Sequence, residues 1–329
     1  MIGLAKLASG PGHVSLEDRP EPDAGPGEAV IEVQAAGICG TDLHIEAGEY
    51  ASAPPITLGH EVAGVVVAVG RGVDGAWLDR RVVCETFFST CRVCAWCRDG
   101  RPNLCPERRS IGTHVDGGFA ARMVIPAVNL HPVPDRLGAH AAALAEPLAC
   151  VCHCLLDPSV TAPGERALVV GPGPMGILAA QVARGLGAHV TVVGRPADAE
   201  RLAFAGELGF EAVDAFAGEV DVAIDASGSG EGATLGLEAV RRGGRYVQIG
   251  IFGRPVCVPL DLVLEKEILV SSGFASTPRA WRRALTLIGS GSVELDALVS
   301  SVSPLDGWRS AFDDLRATRG MKAVLDPRL

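Results

Sequence analysis

Hydrophobic positions follow two different rhythms along this chain. Up to about residue 150 they come as short runs, Glu28–Gln34, Glu61–Val69, Arg81–Cys84 and Ala120–Ile125, with glycine and proline between them. Helical spacing is scarce there, so this part predicts a β-rich domain of short strands. After Pro158 the texture changes. Arg166–Gly171 reads as a buried strand, Met175–Leu186 carries a helical apolar pattern, and His189–Val193 reads as a second strand. Strand-like Val220–Ala226, Arg245–Gly250 and Glu267–Val270 then alternate with helix-like Ala199–Leu208, Glu231–Arg241 and Pro278–Ile288. Alternation on this scale predicts an α/β domain with a doubly wound parallel sheet. A last strand-like piece, Met321–Leu325, closes the chain.

The first strand, turn and helix of the second region meet at Gly171-Pro-Gly173-Pro174-Met175-Gly176. This is G-x-G-x-x-G directly after a strand and at the opening of a helix, the context that gives the motif meaning. The first glycine permits the tight turn, the second admits a pyrophosphate to the backbone, and the third lets helix and strand pack closely. The helix N-terminus supplies free N–H groups and positive potential. At the end of the second strand an acidic residue would hold the ribose hydroxyls of NAD. This chain has Val193-Gly194-Arg195 instead, and Arg195 can pair with a 2′-phosphate, which favours NADP over NAD. Ser227, Gly250 and Ile251, at the ends of later strands, are further candidates for cofactor contact.

Cysteine usage changes the picture of the first region. Cys91, Cys94, Cys97 and Cys105 lie within fifteen residues, and Gly100 and Pro102 bend the chain between the last two. Four thiolates so spaced can close a tetrahedral shell around Zn2+ with no open position, a structural site. Iron–sulfur ligation and disulfides use similar spacings. A second cluster upstream, Cys39-Gly-Thr41-Asp-Leu-His44 followed by Gly59-His60-Glu61, favours zinc.

Length and charge narrow the classes. At 329 residues the chain is long enough for two cores. A net charge of −10 argues against nucleic acid as the main partner. No apolar run reaches the ~20 residues of a membrane span, and Met1–Leu7 lacks the apolar stretch of a signal peptide. A cytoplasmic enzyme without membrane partners is the expectation, and ten cysteines in a reducing compartment point to metal or redox work. The cluster Cys150-Val-Cys152-His153-Cys154 looks metal-like, but at a helix start it reads better as small buried residues.

In this order, Cys39–His44, Gly59-His60-Glu61, the four-cysteine lobe, Glu146-Pro147-Leu148 and the Gly171–Gly176 turn resemble the zinc-dependent medium-chain alcohol dehydrogenase family over nearly the whole chain. Thr41 with His44, and Glu61 with Glu146, look most like its threonine and sorbitol (polyol) dehydrogenase branch. The resemblance implies a GroES-like catalytic domain at 1–150 with a structural zinc lobe at 88–106, a Rossmann NAD(P)-binding domain at 151–285, and a C-terminal segment, 286–329, that returns to the catalytic domain. It also implies a homo-oligomer, dimer or tetramer. One departure is Ala121-Arg122, where the family often has an acidic residue after Gly-Phe-Ala.

Cys39 as thiolate, His60 as neutral imidazole and Glu61 as carboxylate would form a mixed shell with an open position, as catalytic zinc requires. Two anionic ligands cancel the charge of the metal. Glu146 as a further ligand would leave a weaker Lewis acid, so it is expected to compete with water or substrate, or to sit just outside the shell. Adjacent residues of a straight strand face opposite ways, so Gly59 must allow a bend if His60 and Glu61 are to share one ion. Zinc would lower the pKa of a bound alcohol, with nicotinamide taking the hydride. The resemblance makes Thr41 and His44 the relay that carries the proton out.

These observations together predict hydride transfer between a small polar secondary alcohol (polyol, sugar or hydroxy amino acid) and NAD(P). An NADPH-dependent carbonyl reductase of the same build is the nearest alternative. A nucleotide-binding protein with purely structural zinc is the alternative of another class.

Overall fold

A computed structural model describes all 329 residues. The chain divides into two compact units, 1–146 together with 295–329, and 147–294.

The first unit is built on a seven-stranded sheet. Its path runs 130–132, 81–84, 61–69, 28–37, 322–325 and 299–303, with 122–126 also pairing 28–37. Strand Glu28–Gly37 is central because most of it is apolar and buried, with Glu28, Glu32 and Gln34 the half-buried exceptions, and it pairs antiparallel with Glu61–Val69 from Ala29↔Val69 to Gly37↔Glu61. Around it Ile31, Val33, Ile38, Val62, Val66, Phe119 and Met123 form a closed core. A smaller sheet, 14–18, 2–6 and 56–57, lies at the N-terminal end, where the sequence pattern had given no strand. The C-terminal residues belong here physically. Val324↔Gly37 and Leu325↔Ala36 add strand Lys322–Leu325 to the central strand, and Trp308 and Phe312 of helix Trp308–Arg316 enter the same core.

In the second unit six parallel strands lie in the order 211–213, 189–193, 166–170, 220–225, 240–248, 269–272. Numbered along the chain, this is 3-2-1-4-5-6, the order of dinucleotide-binding sheets, with its topological switch between 166–170 and 220–225. Helix Pro174–Gly185 buries Ile177, Leu178, Ala179, Ala180, Val182 and Ala183, as its apolar spacing predicts. Several boundaries differ from the sequence pattern. The last parallel strand is Leu269–Ser272, two residues later than Glu267–Val270, and the first unit's opening stretch ends at Glu146 rather than 150. The fifth strand begins at Val240, so the helix before it ends at Ala239. The return to the first unit comes at Leu295, later than the expected residue 286, for two reasons. Helix Pro278–Ser290 buries Ala280, Trp281, Ala284 and Ile288. In addition, Gln181 holds the backbone of Glu294 from both sides, donating to its carbonyl (3.1 Å) and accepting from its N–H (2.7 Å).

Segment Ala139–Leu156 is long and apolar enough to span a membrane by composition. Because 78% of it is buried inside the protein, it is a core element. Cys152 and Cys154 lie in it, both buried, and burial pushes each thiol up to about 12. They are packing residues.

Candidate metal and dinucleotide sites

The first candidate site forms where two paired strands end. Glu61 opens strand Glu61–Val69 opposite Gly37, and Cys39 follows two residues later as the N-cap of helix Gly40–Glu46. That register brings the ligand atoms of Cys39, His60 and Glu61 within 4.8 Å of one another. Gly59 supplies the bend. Its φ is +90°, and a Cβ there would meet the Phe119 ring at 2.6 Å, so only glycine fits.

Buried charges around this group are arranged in pairs. Lys322, on the returning strand, donates to Glu61 Oε1 at 2.5 Å and to the carbonyl of Ile38 at 3.0 Å, and all of this is buried. Burial opposes the charged lysine, but Glu61, Cys39 and Glu146 outweigh it and hold its pKa up. Glu61 Oε2 has no hydrogen-bond partner. An orphaned carboxylate oxygen beside a thiol and an imidazole fits a cation, so the residues present suit zinc. Asp42 stands beside the imidazole without a hydrogen bond to it. Its Oδ2 accepts the N–H of Cys39 (2.9 Å), while Oδ1 lies 3.6 Å from His60 Nδ1. Burial disfavours charge on His60, yet Asp42 and Cys39 raise its pKa well above the usual range. A carboxylate behind a ligating histidine is the usual way to fix which ring nitrogen faces a metal.

The remaining residues group around this centre. Thr41 Oγ1 lies 3.7 Å from Cys39 Sγ, and His44, three positions further along the same helix, shares a face with Thr41. Glu146 is buried and acts on Lys322 and Cys84 by charge, but it is not among the three converging ligands. His114 accepts the N–H of Ser110 at 3.3 Å. Burial first, then Arg108 and Arg109, lower its pKa.

The four lobe cysteines also converge within 4.8 Å, and none of the ten cysteines of the chain is in a disulfide. The N–H groups of Cys94 and Cys91 point at the sulfurs of Cys91 (3.3 Å) and Cys105 (3.4 Å). The N–H groups of Cys94 and Val93 pull Cys91 down to about 7. Amides aimed at sulfur favour thiolate, which zinc needs.

In the second unit the glycine-rich turn sits at the switch point. Gly171 has φ +98°, and a Cβ on it would fall 2.9 Å from Ser227 Cα. One on Gly176 would fall 1.9 Å from Gly171 O. Gly173 is the N-cap of helix Pro174–Gly185, with Pro174 in its first turn and Met175 and Gly176 next, so the N–H groups there remain available. The hydroxyl of Ser227 is already engaged, donating to Asp225 Oδ1 at 2.6 Å, so its side chain shapes the turn. The N–H of Gly250 donates to the carbonyl of Asp225 (2.9 Å), and Ile251 is exposed beside it. Arg195 follows Gly194 and is paired by Asp198 through Nε (3.0 Å) and a terminal nitrogen (3.1 Å). A second guanidinium, Arg201, lies 3.8 Å from where a Gly173 Cβ would be.

Sequence reasoning missed Lys322 and the place of Asp42 beside His60. Lys322 carries a visible signal, a lone lysine opening the apolar strand Lys322–Leu325. Asp42 lies inside the Cys39–His44 motif, and only the fold shows that it faces His60.

A dinucleotide-binding sheet joined to a unit with one mixed and one all-thiol group able to hold a metal fits the class of metal-dependent, nicotinamide-linked oxidoreductases. Comparison with known proteins narrows this. Residues 25–135 match the alcohol dehydrogenase GroES-like domain, and residues 174–290 match the zinc-binding dehydrogenase domain. The chain is 34% identical over 342 residues to the sorbitol dehydrogenase of Halalkalibacterium halodurans, covering 99% of each chain. It is 33% identical over 343 residues to the L-threonine 3-dehydrogenase of Xanthomonas oryzae pv. oryzae, again covering 99% of each. Among solved structures it is similar to a zinc-binding dehydrogenase from Sinorhizobium meliloti bound to NADP, with TM-score 0.90, 31% identity and 99% of both chains covered. The chain belongs to the zinc-dependent medium-chain alcohol dehydrogenases, in the polyol and threonine dehydrogenase branch. It is an enzyme that moves a hydride between an alcohol and NAD(P).

Proposed function

We propose that the substrate is a small polar secondary alcohol, a polyol, sugar or 3-hydroxy amino acid, and that NADP is the favoured cofactor. The convergence of Cys39, His60 and Glu61, with Thr41 beside the thiol, carries this reading. Zinc bound by these three residues would polarise the alcohol oxygen and ease loss of its proton. Thr41 then receives the alcohol proton as it gives its own to His44. His44, with a side chain 37% exposed, releases it to water. Asp42 stands beside His60, and Lys322 offsets one of the two anionic ligands. Glu146 sits just outside the shell and adds negative potential there. The lobe of Cys91, Cys94, Cys97 and Cys105 holds the structural zinc.

Two observations support NADP. No carboxylate follows strand His189–Val193 directly, and the Arg195 side chain that stands there instead is 73% exposed. Backbone N–H groups at Gly173–Gly176 cradle the pyrophosphate, while Gly250 and Ile251 line the nicotinamide end. We further propose a cytoplasmic homo-oligomer. The edge strand Leu269–Ser272 leaves Leu269 65% and Val270 49% exposed, an unprotected edge of the kind usually covered by another chain.

The test is absorbance at 340 nm on a panel of polyols, sugars and 3-hydroxy amino acids with NADP and NAD, for wild type and Arg195→Ala. Turnover on the panel with a higher kcat/KM for NADP, falling toward the NAD value in Arg195→Ala, is the expected result. A preference for NAD that Arg195→Ala does not change would overturn the cofactor assignment. No turnover on any panel alcohol would overturn the substrate class.

A further inference from the structure

Helix Gly40–Glu46 ends in a closed turn of the Schellman type. The N–H of Gly48 donates to the carbonyl of Ile45 (3.1 Å), the N–H of Glu49 donates to that of His44 (2.8 Å), and Gly48 has φ +76°. Such turns bring the residue after the glycine against the side chain at the start of the last helical turn, and the pair is commonly apolar. Here those two positions are Glu49 and His44, and their side chains meet at 2.6 Å between Oε2 and Nδ1. The turn is braced from outside. A Cβ on Gly48 would lie 2.7 Å from the carbonyl carbon of Gly10, and the N–H of Gly12 donates to the carbonyl of Glu46 (2.7 Å). Lys6 donates to the carbonyls of Gly10, Gly12 and Glu46 together. The backbone therefore fixes where Glu49 stands relative to His44.

We propose that Glu49 is the positioning residue for His44, holding its ring as the Nδ1–H tautomer so that Nε2 presents the lone pair that receives the relayed proton. This rests on His44 acting in the relay. A carboxylate can only accept, so the hydrogen between the two side chains belongs to Nδ1. A neutral imidazole with its hydrogen on Nδ1 is a base only at Nε2. An unpartnered imidazole in water favours the opposite tautomer, so without Glu49 the ring would mostly carry its hydrogen on the atom that should be empty. During turnover the proton from Thr41 Oγ1 forms the Nε2–H bond. The imidazolium stays against the Glu49 carboxylate, and Nε2–H then breaks to water, restoring the Nδ1–H tautomer. No electrons are exchanged.

Glu49→Leu tests this, because an apolar residue is what such a turn ordinarily carries and the fold is retained. Long-range 1H–15N spectra of histidine-labelled, zinc-loaded enzyme report the tautomer, and His44→Ala identifies which of the eight histidines is His44. The neutral His44 signal should move from Nδ1–H to Nε2–H in Glu49→Leu. With the best substrate of the panel, kcat should fall about tenfold, a fraction of what a full acid–base group contributes, while KM holds. Glu49→Asp should recover part of the loss, and Glu49→Leu should add nothing on top of His44→Ala. An unchanged tautomer in Glu49→Leu would overturn the positioning role itself. A shifted tautomer with kcat unchanged in both Glu49→Leu and His44→Ala would overturn the relay instead, and with it the catalytic consequence of the pair.

Discussion

Gly59→Ala should damage the mixed metal group without touching a ligand. At φ +90° an alanine pays for the left-handed backbone, about 1–2 kcal/mol. Its methyl would lie 2.6, 2.8 and 2.9 Å from three atoms of the Phe119 ring, which is fully buried and has nowhere to move. Overpacking of that kind costs about 1–3 kcal/mol more. The opposite side is closed too, because Gly118 donates to the carbonyl of Gly59 (2.9 Å), and Gly112 and Gly117 pack so close that a Cβ on either would meet that carbonyl oxygen at 2.7 or 2.0 Å. A loss of about 2–5 kcal/mol, spread over a unit of this size, lowers the melting temperature by roughly 10 °C. Any relief comes by shifting His60 and Glu61 away from Cys39, and a displacement on the order of 1 Å costs about a hundredfold in a positioned site. Calorimetry and zinc analysis after dialysis against a chelator measure both effects. Gly59→Ala should melt early and lose the zinc of the Cys39 group while the four-cysteine lobe keeps its own. Full retention of both metals with a melting point within about 1 °C of wild type would refute the argument that Gly59 sets the bend.

Two further outcomes follow from buried charges. Lys322→Met strands Glu61 in the core. In urea denaturation of chelator-treated protein it should cost about 3–5 kcal/mol, with most of the loss recovered when Glu61→Gln is added; a cost no larger than that of a surface pair, about 1 kcal/mol, would contradict a buried pair. Asp326 is buried, which opposes its charge, but Arg328 and His140 outweigh burial and hold its carboxyl down at about 2. A depressed carboxylate contributes stability above its unfolded pKa, and that contribution is lost as pH falls through the folded value. The gap between wild type and Asp326→Asn should be about 2 kcal/mol near neutral pH and close between about pH 4 and 2. A gap that does not change over that range would rule out the ion pair as its source.

Most of the dinucleotide unit was legible in the sequence because its signals are local. A buried parallel strand is a short apolar run, its helix shows its own period, and the glycines of Gly171–Gly176 are required by contacts inside one turn. The four-cysteine lobe was legible for the same reason. The charge arrangement around Glu61 was not. Lys322 lies 261 residues away along the chain and arrives only because Val324 pairs with Gly37. Asp198 was equally hidden as the partner of Arg195: an acid three residues on in a loop gives no period to read. The bend at Gly59 stands between these cases. Adjacent ligands demanded it from the sequence, while the reason no other residue fits is the distant Phe119 ring.

The central claim is that Cys39, His60 and Glu61 hold a zinc on which hydride transfer depends. Zinc content and cofactor-linked absorbance at 340 nm, measured side by side on wild type and Cys39→Ser, test it most directly. The account predicts one zinc for each of the two ligand groups in wild type, loss of one of them in Cys39→Ser, and loss of turnover with it. Turnover that survives Cys39→Ser, or a zinc content that Cys39→Ser does not change, would contradict it.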